Sequence, residues 1–507
     1  MAWWSRFFRG TGGGYEAGAR ESEARVYQAG RNSYPIDEDR HIGEARPRIV
    51  LEGRYQDRNN GLLYGVANRI ADYSVPTALP RFATASKEWN DAARLFFKRW
   101  ARKDRCDIRR LRSFDDLVWL AVRQSYIDGD GGFVLLEDGR VQMVEGELIA
   151  TPDPAPQGKV ICNGVELDRY GAPVAFWIAP RNEAGFPSPD KARRVLAGDF
   201  VFFRQFTRCD SVRGVPPISS ITSDLIDQKE LHQSYLAKTK HDTKDGTLVT
   251  TADGYMPNIP HPVSGEGNDK PPPPRPASME DRHLRMYFLR NGEDVRQIPP
   301  STPSANIVDY EKNLVRFMAS ALGIPAEFWT LDLTNMSWST ANATVKMAGD
   351  QFRRVHEWAE EQVIRPLIDW RIAKAIERGE LPPAPTVKVG AFEVSQAFEY
   401  RLAVPEYLWA DEDSHLKAVK TKFQLGLDGM TAVADEYGKT VGEMLDEREE
   451  LWTEIYARCK RLEERTGKPI SPLQFINAET SGIQTVVAES PKDRAEAEEK
   501  AGEGAKK

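Results

Sequence analysis

The sequence predicts an α+β protein, largely helical towards both ends with a block of short strands between. Three observations predict it. Apolar residues recur at helical spacing from residue 48 to about 127 and again beyond residue 219. Between those stretches the pattern alternates, and Asp138-Gly139 and Asn163-Gly164 separate short alternating runs, as two-residue hairpin turns do. The chain has 507 residues, 40% hydrophobic and 29% charged, which suits several folded domains rather than a disordered polymer.

Residues 1–47 are rich in Gly, Arg and Glu, with Gly12-Gly13-Gly14, and read as a loosely ordered arm. The alternative is a docking peptide presenting Trp3, Trp4, Phe7 and Phe8. Trp89, Ala93, Phe96 and Trp100 then share one face of a helix opening near Ser86. Ser113 and Asp116 form a capping-box start for a helix carrying Phe114, Leu117, Val118 and Ala121. Phe133–Glu137 with Arg140–Val144, and Lys159–Cys162 with Val165–Asp168, are hairpins; Ala175–Ile178 and Phe200–Phe206 are further strands.

Ile221, Leu225, Leu231 and Tyr235 predict a long helix to about Asp242, followed by a strand at Thr247–Thr251. Pro271–Pro274 exclude a helix from the next segment. Asn291-Gly292 predicts a third hairpin between Arg285–Arg290 and Val295–Ile298. Leu314, Phe317, Met318, Ala321 and Leu322 share a helical face, closed by Gly323 and Pro325. A polar loop at 330–339 leads into a long helix from Ser339 or Thr340, interrupted at Pro366 and stopped by Gly379. Thr440 and Glu443 cap a last helix with the stripe Met444, Leu445, Leu451, Trp452, Ile455, Cys459 and Leu462. The mixed Lys and Glu of the final residues read as a disordered tail.

The formal net charge is −7, against the basic excess of a dedicated sequence-specific DNA binder. Cys106, Cys162, Cys209 and Cys459 are too scattered to suggest a disulfide framework or a zinc ribbon. No apolar run approaches the roughly 20 residues of a membrane span. Gly438-Lys439-Thr440 has Val433 where a P-loop needs glycine, and His356-Glu357 is followed by Glu360 where a zinc protease needs histidine. Asp128-Gly129-Asp130 opens like a calcium loop, but Gly139 stands where the bidentate Glu belongs, so a turn before a strand is the better reading. The basic run Arg102, Lys103, Arg105, Arg109, Arg110 and Arg112, diluted by Asp104 and Asp107, is either a solvated surface or a nucleic-acid or subunit contact. The residues alone thus predict a multidomain protein with no catalytic residue, metal site or cofactor.

Five segments in this order resemble the portal proteins of tailed phages, of the lambda type: Arg58-Asn59-Asn60-Gly61, Ile127-Asp128-Gly129-Asp130, Arg213-Gly214-Val215-Pro216-Pro217, Ala319–Pro325 and Met336–Ala343. The similarity spans about residues 48–470. It departs at Trp338, where the family usually has Tyr, and at Asn342, where it has Arg; a role resting on that Arg has no counterpart here. The resemblance implies a wing (48–218), two stem helices (219–243 and 301–325), a small β-rich clip (244–300) and a tunnel loop (328–340). It further implies a kinked spine helix returning to the wing (341–404), a helical crown (405–470) and a tail (471–507). It implies a homo-oligomeric ring of about twelve copies at a capsid vertex of the virion, assembled in the host cytoplasm. The implied partners are double-stranded DNA, held weakly and non-specifically, the terminase large subunit, head–tail connector proteins and the major capsid or scaffold protein, with no membrane.

An acidic subunit suits such a conduit, because each tight Lys–phosphate contact would brake sliding. Lys312, Arg316 and Lys346 are the candidates to steady phosphates in the channel; as ordinary helix-surface cations they would be salt-bridged or solvated. The tunnel-loop candidates are Leu331, Asp332, Leu333, Thr334, Asn335, Met336, Ser337 and Trp338. Pro272, Pro273, Arg275, Arg290 and Asn291 are the clip candidates for docking terminase or connector. The competing readings are a minor capsid or head–tail adaptor protein and, behind it, a DNA-packaging enzyme.

Overall fold

The computed structural model describes residues 38–242, 245–249, 278–281, 284–288, 305–332, 334, 336–389, 392–405, 412–426, 429–430 and 441–466. The expected arm up to residue 37, the Asn291-Gly292 hairpin, the Gly438-Lys439-Thr440 segment and the tail beyond 466 lie outside them. The chain divides into one unit up to Ala410 and another from Asp411.

The first unit opens with helices α1 (Glu38–Asn59) and α2 (Gly61–Ser74). Helix α1 starts before residue 48, inside the stretch whose composition suggests an arm. The reason lies in Ala45, Arg46, Ile49 and Val50, which are all buried: an arginine on the inward face makes a core helix read as polar. Asn60 caps α2, its side-chain oxygen accepting from the Leu62 N–H at 3.0 Å. Strand β1 (Arg81–Phe82), helix α3 (Lys87–Trp100) and the single turn α4 (Lys103–Cys106) follow. In α3 the buried face is Trp89, Ala93, Phe97 and Trp100, with Phe96 only partly covered. Helix α5 (Phe114–Asp128) is the central one, and its Ser113–Asp116 capping box is formed. Its Phe114, Leu117, Val118, Ala121 and Val122 are fully buried, each of the larger side chains contributing roughly 1.5–3 kcal/mol.

Strands β2 (Asp130–Leu135), β3 (Val141–Glu145), β4 (Val160–Cys162), β5 (Val165–Leu167), β6 (Pro173–Ile178), β7 (Arg193–Leu196) and β8 (Phe200–Arg204) build two antiparallel sheets, ordered β3-β2-β8 and β4-β5-β6-β7. Both expected hairpins form, about Asp138-Gly139 and Asn163-Gly164. Val144, Ile149, Val165, Phe176 and Phe200 fill the space between the sheets.

Helix α6 (Thr222–Asp242) starts in the core at Leu225. Strands β9 (Asp245–Val249), β10 (Ser278–Asp281) and β11 (Leu284–Phe288) form a sheet in which β10 pairs antiparallel, and β9 parallel, with β11. Helix α7 (Ala305–Leu322) returns to the core. It buries Met318 and Leu322 of the expected face together with Val315 and Ala319, while Ala321 is exposed and Phe317 is 71% exposed. Gly323 ends it at φ +70°, with the Ile324 N–H on the Ala319 carbonyl at 3.1 Å.

After α8 (Ala326–Thr330), helix α9 (Trp338–Ala359) runs through one π turn at Glu360–Ile364 into α10 (Arg365–Glu377). The expected interruption at Pro366 is this wide turn. A proline ring collides with the carbonyl four residues back, and inserting a residue relieves the collision. The turn leaves the Gln362 side chain accepting the Arg204 N–H at 2.9 Å, anchoring the end of β8. Strands β12 (Thr386–Val389) and β13 (Phe392–Ser395) pair, and β14 (Tyr400–Arg401) closes on β1. The second unit holds α11 (Glu412–Gln424) and α12 (Val441–Thr466). Ile455 and Cys459 of the expected stripe are buried, while Leu445 and Leu451 are at least half exposed.

Candidate functional site

Two regions of the first unit gather the residues the sequence singles out. The first is a buried charge cluster. Helix α5 ends at Gly129, and the chain turns directly into β2, leaving Asp128 and Asp130 buried. Asp130 is completely enclosed, and Arg213 lies across it with Nε on Oδ2 at 2.7 Å and Nη2 on Oδ1 at 3.0 Å. The rest of that guanidinium donates to the carbonyls of Ile149, Asn163 and Gly146. Arg46 of α1 reaches the same carboxylate and the Gly214 carbonyl at 2.7 Å, and the Gly214 N–H donates to Asp130 at 3.0 Å. Gly214 and Gly146 admit this approach, since a Cβ on either would lie 2.1 Å from Gly129 O or Asp130 Oδ1.

Burial raises the Asp130 carboxyl, but Arg213, Arg46 and the hydrogen bonds outweigh it and hold it below the usual carboxylate range. Burial and the neighbouring Arg213 lower the Arg46 guanidinium to about 10. Beside them Arg54 grips both oxygens of Asp128, at 2.8 and 2.7 Å, and Glu147 at 2.8 Å. Burial nonetheless keeps the Asp128 carboxyl above its usual value. Both aspartates are thus committed to arginines, as a turn before a strand allows and a calcium loop would not. The cluster ties α1, β2, the hairpin turn at Asn163 and the segment entering α6 into one piece.

The second region is the α6–α7 pair and the loop after α8. His232 Nδ1 of α6 faces Glu311 of α7 at 3.7 Å. Lys312 and Arg316 are exposed on α7, and Lys346 is exposed on α9. Arg316 donates to Asn313 at 3.2 Å. Leu331 takes a left-handed conformation, φ 56°, as its N–H closes α8 on the Glu327 carbonyl. Asp332 accepts the hydroxyl and the backbone N–H of Thr334, which with the charge of Lys312 hold its carboxyl below the usual range. Ser337 caps α9, accepting the Thr340 N–H at 3.3 Å. Met336 is half-buried, and Ser337 and Trp338 are exposed. Leu333, Asn335 and the clip candidates Pro272, Pro273, Arg275, Arg290 and Asn291 lie outside the described residues.

His356 is buried, its Nδ1–H donating to the Ser74 carbonyl at 2.9 Å, so it serves packing. Among the described residues no three His, Cys, Asp or Glu side chains gather as a metal site requires, and no helix is long and apolar enough to cross a membrane. The sequence pointed to Asp128 and Asp130 through their turn motif and the resemblance, and to Arg213 and Gly214 through the resemblance alone; nothing in it pointed to Arg46 as their partner.

A family model described as "Phage portal protein, lambda family" matches residues 27–356. A curated relative, the "Probable portal protein" of Halomonas phage phiHAP-1, is 22% identical over 383 residues, covering 72% of this chain and 70% of the relative. Among solved structures, a chain from the neck of a native gene transfer agent particle, computed with C12 symmetry, is 12% identical with TM-score 0.36, covering 81% of this chain and 94% of that one. Another, from the virion of a native gene transfer agent particle, is 12% identical with TM-score 0.32, covering 69% and 91%. The family match takes in well over half of the residues, and this chain belongs to the lambda family of phage portal proteins, which are structural and not enzymatic.

Proposed function

We propose that the chain forms a closed ring of about twelve copies at one capsid vertex, around a channel for double-stranded DNA. In this reading α6 and α7 are the stem, the 331–338 loop borders the channel, and Lys312, Arg316 and Lys346 steady the passing phosphates. The β9–β11 sheet belongs to a clip that docks the terminase large subunit and then the connector proteins. The observation that carries the proposal is the state of the two stem helices. Both are anchored at their core ends, by Leu225 and by Met318 and Leu322. Away from those anchors Leu236, Val308 and Tyr310 are 44, 43 and 59% exposed, and Phe317 is 71% exposed. Apolar surface displayed on paired helices calls for cover, and in a ring each subunit's pair covers its neighbour's.

Electron microscopy of the purified full-length chain tests this. A ring of about twelve subunits with an open axial pore supports it, and Phe317→Asp should shift the population towards monomers in sedimentation. A chain that stays solitary at high concentration, or a ring with a blocked centre, overturns it.

A further inference from the structure

Away from both regions, a cleft of about 650 Å³ opens between the end of α3, the α4 turn, the Asp138-Gly139 turn and α10 with the segment after it. Its floor is Arg371 of α10, a residue only 5% exposed. One guanidinium nitrogen, Nη2, donates to Glu380 at 2.5 Å. Among the described residues the other two, Nε and Nη1, have no hydrogen-bond partner. The guanidinium is wedged 4.6 Å from the ring centre of Phe96 and 5.8 Å from that of Trp100. A Cβ at position 139 would sit 3.2 Å from its central carbon, and Gly139 also holds φ +83°. A guanidinium cannot shed its charge at any ordinary pH, and a buried donor without an acceptor is costly. Glu380 supplies one counter-charge, and two of the three nitrogens still call for an acceptor.

The rim has the same sign. Arg99, Arg105 and Arg110 line the mouth and are exposed. Asp107 orders the last of them: its carboxylate accepts the N–H groups of Arg109 and Leu111, both at 3.1 Å, and its carbonyl accepts that of Arg110, held at φ 58°. Among the described residues neither Arg99 nor Arg110 has an acidic partner, whereas Asp138 is taken up by Arg140. The cleft is therefore cationic on a chain of net charge −7. Its walls decide what kind of anion enters. Leu95, Leu381 and Pro382 give it an apolar side, and Asp104 and Glu380 stand among the arginines. A phosphodiester backbone has no use for aliphatic walls and is repelled by carboxylates. A peptide uses both, packing apolar side chains on the walls and offering N–H groups to the carboxylates.

We propose that this cleft is the docking site for an acidic segment of a partner polypeptide. A Glu or Asp carboxylate of that segment reaches Arg371 and the Arg99–Arg110 rim, and a flanking aliphatic side chain packs on Leu95 and Pro382, both exposed. The inference does not rest on the ring reading, because every residue in it belongs to one chain.

Fluorescence anisotropy on the full-length protein tests it with three labelled probes: a hexapeptide with two glutamates between leucines, the same peptide with glutamines, and a single-stranded oligonucleotide of similar charge. The acidic peptide should bind saturably, and the glutamine peptide at least about tenfold more weakly. The double variant Arg99→Glu/Arg110→Glu lies at the surface and leaves the core intact; it should lose the acidic peptide by a similar factor, as should Arg371→Met. Equal binding of the two peptides, binding unaffected by the rim variant, or no saturable binding at all overturns the proposal. So does an oligonucleotide that displaces the acidic peptide and is itself lost on the rim variant.

Discussion

Arg213 and Arg371 are both almost fully buried, yet one is saturated and the other is not. Arg213 spends its guanidinium on both oxygens of Asp130 and on three carbonyls, using the five N–H donors such a group carries. Arg371 has one carboxylate, two aromatic faces and two idle nitrogens. The difference teaches how to read a buried charge. Complete satisfaction inside the chain marks a fastener, whose loss is felt as stability. Incomplete satisfaction marks a place where something else belongs, and its loss is felt as binding.

The largest expected effect is on the fastener. Asp130→Asn leaves Arg46 and Arg213 facing each other without a counter-charge, and removing one partner of a buried ion pair costs about 3–5 kcal/mol. That is a large share of a typical domain's stability, so denaturant midpoints should fall steeply or the protein should fail to accumulate. A loss below about 1 kcal/mol would mean that water reaches the cluster and that the two arginines are not different in kind. Gly214→Ala comes next, because its methyl would press on Gly129 O at 2.1 Å and backbone on both sides must shift. Arg371→Met should cost less, about 2 kcal/mol for its desolvated cation–π contacts, because its ion-pair partner Glu380 is a third exposed and returns to water, when measured by the same urea titration. If it costs as much as Asp130→Asn, Arg371 is a fastener too.

The sequence announces local structure more readily than either arginine's role. Asp138-Gly139, Asn163-Gly164, Ser113 with Asp116, and Gly323 each act within a few residues, so their hairpins, capping box and helix end can be read directly. The Asp130 cluster joins residues 84 and 83 positions apart, and no periodicity carries that pairing. The same separation explains why the start of α1, up to residue 47, reads as an arm: Arg46 is polar in sequence and core in space. Strand β7, with Arg193 and Arg194 at its start, shows no alternation because Arg194 is spent on Glu166, at 2.8 and 2.9 Å. The π turn is half legible: Pro366 demands an irregularity, while its form depends on where Gln362 and Trp358 find Arg204.

His356 provides the smallest effect and a third way to handle a buried cation. Its Nε2 is as unpartnered as Arg371 Nε, with Glu360 no nearer than 3.9 Å. Unlike arginine, imidazole can give up its proton, and burial lowers its pKa below the usual value despite the Ser74 carbonyl and the carboxylates of Glu360 and Glu357. A group depressed in the folded state contributes stability that is fully present above its unfolded pKa of about 6.5 and is lost as the pH falls through the folded one. Stability should therefore slope downward from pH 7.5 towards 5.5. Asp128 and Asp369, both raised by burial, contribute with the opposite sign. The difference between wild type and His356→Gln, whose amide can still donate to Ser74, isolates the imidazole. A wild-type advantage over the variant that shrinks as the pH falls supports the assignment. A constant difference would mean that His356 finds an acceptor when protonated, and that lack of a partner in the folded chain does not by itself distinguish Arg371.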